Sequence, residues 1–323
     1  MSTIIPEAEL PLELTAVQVV EAAYPEELSR SFEALQRGLP VMVECDKELV
    51  PYFYSCLRTR LAAVEQRCLY LDGRPQEGLP PVPEALGLIN AIIFHLREAV
   101  RGAVADSTGK RVIVLPHLDL LTSSTGGLTA EAREVIPLLY ENPEILWLGF
   151  KDASFPVPRV IENLFPHKES ILGVSRERLR YLVTQRESRK FGQGLPVYVL
   201  YKQVSGCNAV RLRRMLSSMS GVDYPPDPGA ALAQLRSATL VGEASVPDMD
   251  LRKDIGGYAK VKERIEQEIV DVLKAKDALS DPDQIRRIEQ LLPRGLLLWG
   301  PPGTGKGHPL SERILTPTGW RKM

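Results

Sequence analysis

Gly295-Leu296-Leu297-Leu298-Trp299-Gly300-Pro301-Pro302-Gly303-Thr304-Gly305-Lys306 is the stretch from which the rest of the chain is read. Its leucine-rich start is a buried-strand pattern, and the strand runs directly into a loop with the spacing G-x-x-x-x-G-K. Glycines let the backbone curl so that successive N–H groups point inward at a polyphosphate. A following helix would add its positive end. Lys306 would reach the terminal phosphates as a point charge, and Pro301 and Pro302 stiffen the entry. Gly300, Pro301, Pro302, Gly303, Thr304, Gly305 and Lys306 are therefore the candidate residues for holding a nucleotide's phosphates.

The next position departs from the pattern. A phosphate loop calls for Ser or Thr after the lysine, whose hydroxyl ligates Mg²⁺, and here stands Gly307. His308-Pro309 follows, and proline near a helix start with few helix formers after it disfavours continuation. The acid that would hold the metal and the glutamate that would activate water belong on a later strand, which does not occur before Met323. This part of the chain is expected to hold phosphate at best, so no catalytic residue and no metal ligand is assigned.

Upstream, short apolar runs alternate with helical patterns. Strands are expected at 39–44, 69–72, 111–115 and 145–150, with a weaker one at 170–174. Helices are expected at 26–36, 50–64, 85–101 and 176–189, then as a pair at 197–204 and 209–219 joined at Gly206. This alternation predicts an α/β fold with a parallel sheet covered by helices on both faces. Pro225-Pro226-Asp227-Pro228-Gly229 stops the pattern, residues 230–240 read as a short helix, and 243–250 as linker. Val261, Ile265, Ile269, Val272 and Leu273 mark an amphipathic helix over 261–275, and residues 280–290 an exposed turn leading into a helix.

Composition narrows the function classes. With 323 residues and 44% hydrophobic content, two ordinary domains fit without staples. A net charge of −1 provides no global field to attract nucleic acid or acidic membranes, so neither is expected as a partner. Cys45, Cys56, Cys68 and Cys207 lack metal-ligand spacing and the four histidines are scattered, so reduced buried thiols are expected rather than zinc. Met1-Ser2-Thr3-Ile4-Ile5-Pro6-Glu7 has no basic segment followed by an apolar run, and no stretch approaches the roughly 20 apolar residues of a membrane span. The expected location is the cytoplasm.

Asp254-Ile255-Gly256-Gly257, a helix containing Val261-Lys262, and Pro293 to Lys306 closely resemble the start of an AAA ATPase domain. The resemblance implies that Ile255 and Gly256 help form a nucleoside pocket and that ATP is the ligand. For the complete product it also implies Mg²⁺, a homo-oligomeric ring and a protein substrate the sequence does not name. Residues 25–220 resemble a second, degenerate copy. Val-rich residues 39–44 take the place of the strand before the phosphate loop, but Cys45-Asp46-Lys47-Glu48-Leu49 contains no glycine. Pro116 and His117 stand where the metal-holding Asp and catalytic Glu would be, with Asp119 surviving. Lys151 lies near the expected sensor asparagine, no arginine finger is recognisable around Phe165-Pro166-His167-Lys168, and Leu200 to Met215 resembles the small helical lid. An unrelated α/β domain is the alternative. The implied organisation is an extension (1–24), a degenerate AAA-like domain (25–224), a linker (225–250) and the first part of a second AAA domain (251–306).

Residues 307–323 are similar to the opening of an intein, for which the phosphate-loop lysine is a familiar insertion point. Excision would rejoin Lys306 to a following Thr. Gly307 lacks the attacking side chain with which most inteins begin, so splicing chemistry is not expected from this chain alone. A frame-shifted or truncated end and a genuine short C-terminus stay open. Three functions are weighed: an ATPase precursor that remodels proteins, a hydrolysis-dead nucleotide-binding scaffold, and a non-functional fragment.

Overall fold

The computed structural model describes residues 4–75, 79–83, 86–105, 111–123, 128–204, 206–240 and 258–272, with residues 275, 284, 287, 288 and 290–292. In chain order its elements are β1 (Ile4–Ile5), α1 (Ala16–Ala23), α2 (Pro25–Gln36), β2 (Val41–Glu44), α3 (Val50–Ala62), β3 (Arg67–Tyr70), α4 (Leu88–Ala105), β4 (Arg111–Leu115), α5 (Leu118–Leu121) and α6 (Ala130–Tyr140). They continue with β5 (Leu146–Lys151), α7 (Arg159–Glu162), β6 (His167–Ser170), α8 (Gln185–Ser188), β7 (Leu195–Pro196), α9 (Val197–Val204), α10 (Ala209–Ser217), α11 (Gly229–Leu240) and α12 (Ala259–Ile265). These gather into two compact units. Among the described residues, a sheet unit holds those of 13–178 and 208–214, and a helical unit is drawn from those of 1–12, 179–207 and 215–292.

The sheet unit is built on a parallel sheet of order β3-β4-β5-β2-β6. Its central strands are buried on both sides, which is why they read as continuous apolar runs. Register sorts the two faces. Val41 lies beside Leu148 and Val43 beside Phe150, and on that face Phe53 of α3 meets Phe150 edge-on. On the other face Met42, Ile113, Leu115 and Trp147 join one core with residues of α4, α6 and α7. Trp147, Phe53, Phe150 and Phe165 are at most 1% exposed. Each such burial contributes roughly 1.5–3 kcal/mol over exposure.

Local chemistry sets the element ends. Thr15 caps α1 by accepting the Gln18 N–H, while the Gln18 side chain accepts the Thr15 N–H. Pro25 opens α2 at a position where its missing N–H costs nothing, and Gly38, at φ +76°, follows its end. Helix α6 forms although Pro137 sits inside it, with Thr129 capping its start.

Two expectations are corrected. The edge strand is His167–Ser170, not 170–174. Past Ser170 the chain turns outward, leaving Leu172 77% exposed and Gly173 at φ +144°. Residues 176–189 do not make one helix. A 3-10 stretch (Arg176–Tyr181) gives way to α8, because Thr184 adopts an extended conformation and starts a new capping box with Glu187.

In the helical unit, β1 pairs antiparallel with β7, Ile5 opposite Leu195. Gly194, at φ +104°, has room for no side chain, since a Cβ there would lie 2.7 Å from the Ile5 carbonyl oxygen. Arg189 anchors Glu7 at 2.8 Å, and the Tyr224 hydroxyl donates to the same carboxylate at 2.7 Å. Helix α11 packs on α9. α12 widens into a π turn over Glu266–Val270, with Ile265 and Ile269 buried as the apolar spacing predicts, whereas Val261 of the same expected face is 46% exposed.

Candidate functional site

The order of the strands brings the carboxyl ends of β4, β5 and β2 side by side. Helix α3, which follows β2, packs with α1 and α2, whereas α7, which follows β5, packs with α6. Connections leaving neighbouring strands toward opposite faces open a crevice at their carboxyl ends, where sheets of this kind bind ligands. In the strand–loop–helix from β2 through Cys45–Leu49 to α3, Lys47 occupies that crevice.

Its ammonium donates to Asp119 Oδ1 at 2.7 Å and to the Pro116 carbonyl at 3.0 Å. Asp119 is fully buried. Its Oδ2 accepts the Asp152 N–H at 2.8 Å, and its Oδ1 also accepts the Leu120 N–H at 2.9 Å. The Asp152 carboxylate takes hydrogen bonds from the Ser154 N–H and hydroxyl. Burial pushes the Asp152 carboxyl up, but those bonds and the Lys47 charge outweigh it and hold it below the usual range. Lys151 pairs with Glu44 at 2.6 Å, and Ser170 donates to the same carboxylate at 3.2 Å. Asn208 Nδ2 donates to Asp46 at 2.6 Å and to Glu48 at 2.7 Å, and Arg214 pairs with Glu48. Burial, followed by the Lys47 charge, holds the His117 imidazole below its ordinary range. Burial pushes the Cys45 thiol up to about 12, so it is no nucleophile at neutral pH.

No protein-family model matches the chain. Over 295 residues it is 26% identical to the peroxisomal ATPase PEX6 of Cricetulus griseus, covering 74% of this chain and 29% of that protein. Over 53 residues it is 47% identical to the ATP-dependent zinc metalloprotease FtsH 2 of Sphaerobacter thermophilus, covering 16% of this chain and 7% of that protein. The chain is similar to AAA ATPases. It spans less than a third of the length of these relatives. Among solved structures, Rhizobiales Trip13 aligns with a TM-score of 0.38 at 13% identity, covering 68% of this chain and 85% of that one. The S. cerevisiae Hsp104–ADP complex aligns at 0.39 and 12% identity, covering 84% of this chain and 52% of that one. At such scores the α/β assignment rests on the chain's own parallel sheet.

The loop Cys45–Leu49, expected to stand in the phosphate loop's place, turns its lysine to the protein's own Asp119. Pro116 contributes a carbonyl to Lys47, and His117 supplies no carboxylate. Lys151, near the sensor asparagine's expected place, is committed to Glu44. Phe165 is core, and His167 and Lys168 lie on β6. The residues of this crevice do not fit a nucleotide triphosphate and its metal. Among the described residues no cluster of His, Cys, Asp and Glu is arranged to hold a metal ion, and no helix is long and apolar enough to cross a membrane.

The nucleotide-holding candidates Ile255, Gly256, Gly300, Pro301, Pro302, Gly303, Thr304, Gly305 and Lys306 lie outside the described residues, as do Gly307 to Met323. What sequence reasoning overlooks is the pairing of Lys47, Asp152 and Asn208 with acids distant in the chain. Its only local trace is a lysine between a buried strand and a helix, and an acid just past the neighbouring strand.

Proposed function

We propose that this chain is part of an AAA-family ATPase whose complete product binds and hydrolyses ATP with Mg²⁺, assembles as a homo-oligomeric ring and remodels protein partners in the cytoplasm. Residues 251–306 supply the nucleotide-binding start of the active domain. The loop Gly300–Lys306 holds the phosphates and Ile255 and Gly256 border the nucleoside. Residues 25–224 form a non-hydrolytic AAA-like domain, and residues 225–250 link the two. The observation that carries this reading is the strand-to-loop sequence ending at Lys306, with G-x-x-x-x-G-K spacing, in a chain similar to two ATPases.

Residues 307–323 read as the opening of an intein, which accounts for Gly307 in place of the expected hydroxyl residue. A second reading, a scaffold that holds nucleotide without turning it over, is favoured by the ion-paired crevice around Lys47. ATP binding by the purified chain, followed through ligand-dependent melting or a fluorescent ATP analogue, tests the site. Lys306→Ala is expected to abolish binding, and unchanged affinity in that variant refutes the assignment. ATP binding without turnover in a product extended past Met323 selects the scaffold reading, and turnover in that product selects the ATPase.

A further inference from the structure

The sheet-unit crevice has the ingredients of an anion site, yet Lys47, Lys151, Asn208 and Arg214 each already meet a carboxylate there. The Lys47 ammonium meets Asp119 at 2.7 Å. Lys151 meets Glu44. From residues 208–214, Asn208 meets Asp46 and Glu48, and Arg214 meets Glu48. The partners lie far apart in sequence, 72 residues for Lys47 and Asp119 and 162 for Asn208 and Asp46, so the network is a product of the fold. Asn208 is 3% exposed, and its Oδ1 accepts the Arg211 N–H at 2.9 Å. It therefore caps a helix start with one atom and clamps the loop with the other.

We propose that the crevice is self-liganded: Asp119 and Glu44 engage its lysines and Asp46 and Glu48 hold residues 208–214 on the sheet unit, doing the work that bound phosphates would do with no nucleotide present. A polyphosphate entering here would meet four carboxylates at close range, and like charges brought together out of water repel strongly. The loop offers no compensation, because Cys45–Leu49 has no glycine to curl its N–H groups inward. The clasp is thus permanent, and the sheet unit keeps one conformation whatever the nucleotide concentration. This inference stands independently of the nucleotide-binding role of residues 300–306.

Hydrogen–deuterium exchange on the full chain carrying Lys306→Ala, which silences the other loop, tests it. In that chain, exchange at residues 209–214 and the melting temperature are expected to be unchanged by millimolar ATP or inorganic pyrophosphate. Adding Asp46→Asn and Glu48→Gln, which keep size and remove charge, is expected to raise exchange at 209–214 by about tenfold or more. The amides of β4 and β5 serve as the control that the sheet is intact. If the double substitution disturbs them, Asn208→Asp, which faces the loop with a third carboxylate, is expected to give the same local rise. Protection or a melting shift induced by either anion in the Lys306→Ala chain overturns the proposal. Unaltered exchange at 209–214 with an intact sheet overturns it equally.

Discussion

Asp119 sits fully buried on α5, just past the end of β4, where a carboxylate is tolerable only because Lys47 and two backbone N–H groups meet it. Removing the cation strands the charge. Lys47→Met is therefore expected to destabilise the sheet unit by ~3 kcal/mol, at the lower end for a buried pair because Lys47 keeps 31% exposure. Urea unfolding would measure this, and the additional change Asp119→Leu should recover part of the loss. No recovery would mean that Asp119 is held chiefly by its backbone bonds. The sequence alone marks Asp119 as a surviving acid and Cys45–Leu49 as a loop without glycine, but it leaves Lys47 unassigned. An ion pair is defined by what stands opposite, and nothing local to Lys47 says that Asp119 does.

At the scale of elements, β5 shows how packing constrains a strand. Gly149 faces the helices between Trp147 and Lys151, and a Cβ there would lie 2.5 Å from Leu118 Cδ2 and 3.2 Å from Phe165 Cζ. Leu118 and Phe165 are buried and have little room to retreat. Gly149→Ala is expected to cost about 1–3 kcal/mol through overpacking, read as a lowered denaturation midpoint with unchanged slope. Apolar runs and valine content make β2, β4 and β5 legible in the sequence, because strands buried on both faces are apolar throughout. The expectation of a strand at 170–174 starts three residues beyond the first residue of β6. That edge strand carries His167, Lys168 and Glu169, and its sequence shows no apolar run. There Glu169 is buried by its bidentate pairing with Arg30 of α2, a tertiary contact that overrides polarity.

For the whole molecule, the shifted groups define a window of stability in pH. His117 has its pKa lowered by burial and the Lys47 charge, so the unfolded chain takes up a proton first, and stability is lost as pH falls below about 6.5. Asp152, also lowered, contributes stability above about pH 4 that is lost on further acidification. Burial raises Cys45 to about 12 and Cys56 and Cys68 to about 11. Their contribution is complete below about pH 8.5, where the unfolded thiols begin to ionise, and is lost as pH rises further. Melting temperature against pH is therefore expected to show a plateau between about 6.5 and 8.5. His117→Gln should flatten the first acid decline, and an identical decline in that variant would remove His117 as its source. By itself the sequence determined the α/β class and the central strands, because each is written in contiguous residues as periodicity, and glycine spacing supplied the proposal of a loop ending at Lys306. Only the tertiary structure decided that Lys47 meets Asp119 across the sheet-unit crevice and that residues 208–214 belong with the sheet unit. Those outcomes depend on which strand ends become neighbours, and that order follows from burying both faces of the sheet at once.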